Sequence, residues 1–161
     1  VRVSDARAMQ LGHVARADGR WRLYVFSDRP GERLAGLCAW LGEDVSSPLQ
    51  RFTPPDADID AVIDVRAILQ AGHRDVVLGE LPSLLLPHKG TLGLIDYEKA
   101  FCADPRPRRD IFDARGIDRT FGCVVIVRPD QFIAHVLPLD ARAAITAFFE
   151  PILLAPAVAY P

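Results

Sequence analysis

The stretch Gly122–Leu139 constrains this chain more than any other. Cys123 to Val127 is a continuous apolar, β-branched run, the pattern of a strand covered on both faces. Arg128-Pro129-Asp130-Gln131 follows. Proline presets φ for the second position of a turn and aspartate caps locally, so these four residues predict a reversal. Phe132 to Leu137 reads as the return strand, and Pro138 closes it. An antiparallel hairpin near the end of a chain needs a sheet to join, so the rest of the sequence has to supply one.

It does so early. Ser4 to Gly19 is polar and small, with His13 and Val14 as a short strand or loop and Asp18-Gly19 as a turn. Arg20 to Phe26 is rich in aromatic and β-branched residues and predicts a strand. Ser27-Asp28-Arg29-Pro30 ends it, with Ser27 or Asp28 placed to cap a helix and Pro30 in that helix's first turn. Leu34, Leu37, Cys38 and Leu41 recur at spacings of three and four, which predicts an amphipathic helix over 31–41 stopped by Gly42. A polar, proline-containing connection runs from Asp44 to Asp60. Ala61 to Leu69 is a second strand, in which Asp64 and Arg66 alternate with Ile63, Val65 and Ala67 and so predict one exposed edge or face.

Residues 70–109 are the least regular part. Val76-Val77-Leu78 reads as a packing segment. Leu81 to Pro87 is apolar but bracketed by prolines, which excludes a long helix. Lys89-Gly90-Thr91 reads as loop and Asp96 to Phe101 as a short helical turn. Ile111 to Gly116 predicts a short helix ending at glycine. After the hairpin, Asp140 is an N-cap candidate for a helix whose apolar face is Ala141, Ala144, Ile145, Phe148 and Phe149. Pro151 ends that helix, and 155–161 is a tail.

The order is strand, helix, strand, irregular region with a short helix, hairpin, helix. A βα start followed later by ββα is the thioredoxin-like arrangement: a single α/β domain over 1–161, with a central mixed sheet and helices on both faces. That fold invites a redox function, whose cysteine pair belongs at the start of the helix after the first strand, where the helix dipole lowers a thiol pKa. Here the position is Ser27 to Gly31. It holds no cysteine, and Asp28 opposes thiolate formation, so disulfide exchange and a peroxiredoxin-like single thiol are excluded at the usual place.

Other chemistries find no motif. G-x-G-x-x-G, the P-loop, G-x-S-x-G and HExxH are all absent. His13, His73, His88 and His135 are far apart and form no spaced metal pair; His135, between Ala134 and Val136, faces solvent or makes one hydrogen bond in the sheet. No catalytic, cofactor-binding or metal residue is therefore assigned. Cys38, Cys102 and Cys123 are widely spaced with no CxxC, which fits a reducing, cytoplasmic setting. Cys38 and Cys123 read as buried hydrophobes, while Cys102 sits in a polar loop. A net charge of −2 and scattered basic residues give no attraction for nucleic acid or anionic membrane. The one basic cluster, 106–109, reads as a solvated loop, no apolar run approaches the ~20 residues that span a bilayer, and no signal peptide is seen. The chain begins with Val1 rather than methionine, which predicts a piece of something longer.

What the residues do suggest is a surface for protein. Trp21, Tyr24, Trp40 and Phe52 lie near the first strand and helix, and Leu84-Leu85-Leu86 lies in the proline-bounded segment; exposed together, they would mark a partner site, and otherwise they are core.

Three stretches, Ala17 to Phe26, Asp64 to Ile68, and Gly116 through Arg128-Pro129-Asp130-Gln131 to Leu139, resemble the C-terminal domain of phenol hydroxylase-type flavoprotein monooxygenases, of the phenol 2-monooxygenase and 3-hydroxybenzoate 4-monooxygenase kind. The resemblance covers nearly the whole chain, and 70–109 matches least. It implies a thioredoxin-like fold without redox cysteines and a role in subunit association, as a dimer, within an aromatic-ring hydroxylase. FAD, NAD(P)H and the phenolic substrate would be handled by preceding domains; no position here matches a flavin motif or a catalytic residue of that family. The alternatives are a free-standing, redox-inactive thioredoxin-like binding protein, and an enzyme using Cys102.

Overall fold

A computed structural model describes residues 1–104, 106 and 109–156. The sheet is built around β1 (Trp21–Phe26). Its alternation sends Leu23 and Val25 to one face and Tyr24 and Phe26 to the other, and all four are buried. β1 runs parallel to β2 (Ile63–Leu69), from Trp21 opposite Ile63 to Phe26 opposite Ile68. On its other side it is antiparallel to β6 (Cys123–Val127), which pairs through the expected hairpin with β7 (Ile133–Leu137). A short strand, β5 (Ala100–Cys102), lies parallel to β2 at the far edge. The order β5-β2-β1-β6-β7 is a mixed five-stranded sheet whose last four strands are the thioredoxin-like core.

Helices cover both faces. The first face carries α2 (Glu32–Glu43), α3 (Pro48–Phe52) and α5 (Arg142–Phe149), whose Leu37, Leu41, Leu49, Ile145 and Phe149 pack on Leu23, Val25, Val65, Val124 and Ile126. The second face carries α1 (Leu11–Val14) and α4 (Ile111–Arg115). There the Phe112 and Phe26 rings meet edge to face at 5.4 Å. Helix α4 ends, as its sequence predicts, at Gly116 in the left-handed region, and Asp110 caps its start.

Several expectations need correcting. His13 and Val14 lie in a helical turn, not a strand or loop. Helix α2 runs through Gly42 to Glu43, because burial of Trp40 and Leu41 favours one more turn. The segment 96–101 is not helical: Ala100 to Cys102 form β5, held by β2 and by the N-terminus, where Val3 N donates to Ala100 O at 3.0 Å. Lys89 is in a two-stranded ribbon, β3 (His88–Lys89) against β4 (Leu94–Ile95), and not in loop. Val77 is exposed. Asp140 caps no backbone group; its carboxylate pairs with Arg33 at 3.1 Å. Ala144 is exposed rather than part of the buried face of α5. Asp64 and Arg66 are buried, because the face they share is covered and their charges meet Lys99, Arg22 and each other there. Of the basic cluster, Arg106 is exposed and paired with Asp104, while 107 and 108 lie outside the described residues, as do 157–161 of the tail.

Candidate functional site

The corner where a thioredoxin-like fold keeps its thiols is formed by the end of β1 and the start of α2. Here it is filled by a carboxylate. Asp28 is buried, and its two oxygens accept from the backbone N–H groups of Arg33 and Leu34, each at 3.1 Å. Gly31, at φ 82°, makes the turn into the helix. Gly122 packs so closely that a Cβ there would lie 2.3 Å from Phe26 O and 2.8 Å from Asp28 N. Gln70 Nε2 ties the corner further, donating to Ser27 O at 2.8 Å and Arg119 O at 2.7 Å. Both oxygens of the Asp28 carboxylate are held by helix N–H groups, and no thiol occupies the corner. Because Asp28 takes helix N–H groups that would otherwise face a phosphate, the residues here do not fit FAD or a nicotinamide dinucleotide.

The sulfur atoms lie elsewhere. Cys38 is buried in α2, and burial pushes its thiol up to about 12. Cys102 is buried in β5, not in a polar loop, and burial pushes it up to about 11. Burial also raises Cys123. None is poised as a thiolate. His135 is exposed on β7, where its Nδ1 accepts from Val136 N–H at 3.0 Å. Among the described residues no group of three or more His, Cys, Asp or Glu side chains is placed to hold a metal ion, and no helix is long and apolar enough to cross a membrane.

The second face of the sheet is apolar at the Phe26 end and ionic at the other. Lys99 and Asp64 are buried there beside Arg22 and Arg66. Lys99 Nζ donates to Asp64 at 2.5 Å and to Asp60; Arg66 Nε donates to Asp64 at 2.8 Å; Arg22 Nη2 reaches Asp18 at 2.8 Å. Lys89 brings the ribbon to Asp60 at 2.9 Å. Burial alone would raise the Asp60 carboxyl, but the Lys89 and Lys99 ammonium groups outweigh it and hold the group at about 2. Asp60 Oδ1 and Arg66 Nη1 find no hydrogen-bond partner among the described residues. Such gaps cost about 1–3 kcal/mol each, so the network fixes how strands, loop and ribbon sit together more than it adds net stability.

Most of the residues nominated as a partner surface are core. Tyr24, Trp40, Phe52, Leu84 and Leu85 are buried, and Trp21 is half-buried with its ring edge-on to Phe148 and Phe149 at 5.6 and 5.5 Å. Several of the exposed apolar residues gather instead at two places. Phe132, Ile133 and Val136 are 71%, 67% and 53% exposed along the free edge of β7. Leu92, Leu94 and Tyr97 are exposed on and beside the ribbon. Beside β7, an open groove of about 670 Å³ is lined by Trp21, Arg128, Pro129, Ile133, Phe148 and Ile152.

A thioredoxin-like scaffold with a carboxylate in its reactive corner and its apolar surface at a sheet edge is built for association. Comparison with known proteins gives that class a family. Residues 1–157 match the family described as phenol hydroxylase, C-terminal dimerisation domain, and the chain belongs to it. It is 52% identical over 161 residues to 3-hydroxybenzoate 4-monooxygenase of Comamonas testosteroni, covering 96% of this chain and 25% of that protein. It is 34% identical to an FAD-dependent monooxygenase of Aspergillus terreus, over 95% of this chain and 26% of that protein. A phenol 2-monooxygenase of Aspergillus fumigatus is 28% identical, over 93% and 25%. The chain thus spans about a quarter of the length of these relatives.

Proposed function

We propose that this chain is the non-catalytic association domain, one domain over 1–161, at the C-terminal end of a longer FAD-dependent hydroxylase of phenolic rings. In that reading the flavin carries reducing equivalents from NAD(P)H to O₂, and all of that chemistry belongs to preceding domains. What this chain contributes is a rigid platform that joins two subunits. The observation that carries the reading is the match to a dimerisation-domain family over nearly the whole chain. It is supported by the Asp28 carboxylate in the corner and by the apolar edge of β7. Three free cysteines, two of them buried, suit a cytoplasmic protein. The absence of a binding-site motif for FAD and the engaged α2 N-terminus support a chain that has no activity alone.

The test mixes two differently tagged copies of the chain and purifies through one tag. The second copy is expected to be retained, and equilibrium dialysis is expected to show no retention of FAD. A chain that fails to capture its own copy, or that binds FAD tightly, contradicts the reading. A free-standing binding protein would fail the capture and would instead retain an aromatic ligand in the groove beside Trp21.

A further inference from the structure

We propose that the second copy docks on the free edge of β7, strand against strand and antiparallel across a two-fold axis that passes beside Val136. The inference rests on the association reading above and adds the surface.

Natural monomers blunt an open sheet edge with charges, prolines, bulges or very short strands, and of these β7 has only a bulge in its first half. β7, Ile133-Ala134-His135-Val136-Leu137, has no proline and no acidic, lysine or arginine side chain. Phe132, Ile133 and Val136 are all more than half exposed beside it. The N–H of Val136 donates to the neighbouring His135 ring at 3.0 Å. A β-bulge opposite Ile126–Val127 bends the first half of the strand. This leaves His135 to Leu137 as the regular part of the edge, which puts the axis beside Val136. A two-fold contact is isologous: the same strand is presented twice, and antiparallel pairing is the geometry a two-fold axis perpendicular to the sheet generates.

The other exposed apolar place is less suited to a second copy. The amino group of Val1 donates to Cys102 O at 2.7 Å, and Arg2 bridges to Phe101, so any preceding chain enters at β5. The ribbon is tied to that side through the Lys89 and Lys99 contacts with Asp60. β7 is the opposite edge, separated from β5 by β2, β1 and β6.

The test compares the solution mass of the chain with that of Val136→Lys, Ile133→Lys and, as the contrasting site, Leu94→Lys, with far-UV circular dichroism confirming that each variant is folded. Across a two-fold axis beside Val136, Val136→Lys places two ammonium groups near one another, whereas Ile133→Lys lies about 20 Å of strand from its own copy and is the milder perturbation. Like charges across an interface cost several kcal/mol, so association of Val136→Lys is expected to weaken at least about a hundredfold. Leu94→Lys is expected to leave it unchanged. Val136→Cys supplies a readout that needs no destabilisation, since oxidation is expected to give a covalent dimer that the unsubstituted chain does not form. A dimer that survives Val136→Lys, or a Val136→Cys chain that does not cross-link while dimeric, overturns the surface assignment and leaves the association reading standing. An unsubstituted chain that is monomeric overturns both.

Discussion

Lys99 is the buried cation on which the ionic end of the sheet depends, and Lys99→Met tests how. The side chain is 1% exposed; its ammonium touches Asp60 and Asp64, with Asp96 at 3.6 Å. Methionine keeps the buried alkyl stem and removes the charge. Asp64 would keep Arg66 at 2.8 Å and Arg22 at 3.3 Å, and Asp60 would keep Lys89 at 2.9 Å and Arg20 at 3.2 Å. Breaking a buried ion pair from one side typically costs 3–5 kcal/mol. The remaining cations place this case at the low end, about 3 kcal/mol, which is a large part of the stability of an ordinary domain. Urea unfolding followed by circular dichroism and by tryptophan fluorescence measures it, with coincident transitions as the check on two-state behaviour. Lys99→Met combined with Asp60→Asn also takes the carboxylate from Lys89 and Arg20 and is expected to be less stable than Lys99→Met alone. A loss below about 0.5 kcal/mol for Lys99→Met, against the 3–5 of a broken buried pair, or a double variant no less stable than the single one, would refute the picture of a dry, interdependent network.

Gly122→Ala is expected to destabilise by about 3 kcal/mol or more, read as a fall in Tm, because its Cβ would lie 2.3 Å from Phe26 O and the residue has φ 64°. Acid should weaken the fold through Asp60. Its carboxyl is held below the ordinary value near 4, at about 2, so the stabilisation is complete above pH ~4 and lost as pH falls toward 2, by about 2 kcal/mol. Asp18 is lowered as well, by its Arg20 and Arg22 partners against the cost of burial, and acts in the same direction. Urea midpoints measured from neutral pH down to that range check the sign. Cys38 and Cys102 should resist alkylation in the folded chain and react after urea is added; a Cys102 that labels as fast as a free thiol in the native chain would restore the idea of a reactive cysteine.

The parts of the fold that were legible in the sequence are those with local signals. The β6–β7 hairpin is written in its turn residues, and α2 in the spacing of Leu34, Leu37, Cys38 and Leu41. β5 was not legible, because three residues carry no period and its partners are β2 and the N-terminus, distant in sequence. Asp64 and Arg66 show the limit of alternation as a guide. Charged residues between apolar ones describe a half-exposed strand, yet here Lys99 and Arg22, remote along the chain, neutralise them in the interior. The surface was misjudged for a related reason. Tyr24, Trp40 and Phe52 look like a partner site only until strand order puts them inside. Phe132, Ile133 and Val136 read only as part of a return strand, and it is strand order, with β7 at an edge, that leaves them exposed.

The central claim is that this scaffold joins subunits, and its most direct test is the mass of the chain by sedimentation equilibrium over a wide concentration range. The account predicts a species of twice 17.7 kDa that gives way to monomer only on dilution. A single species of 17.7 kDa at every concentration would contradict it.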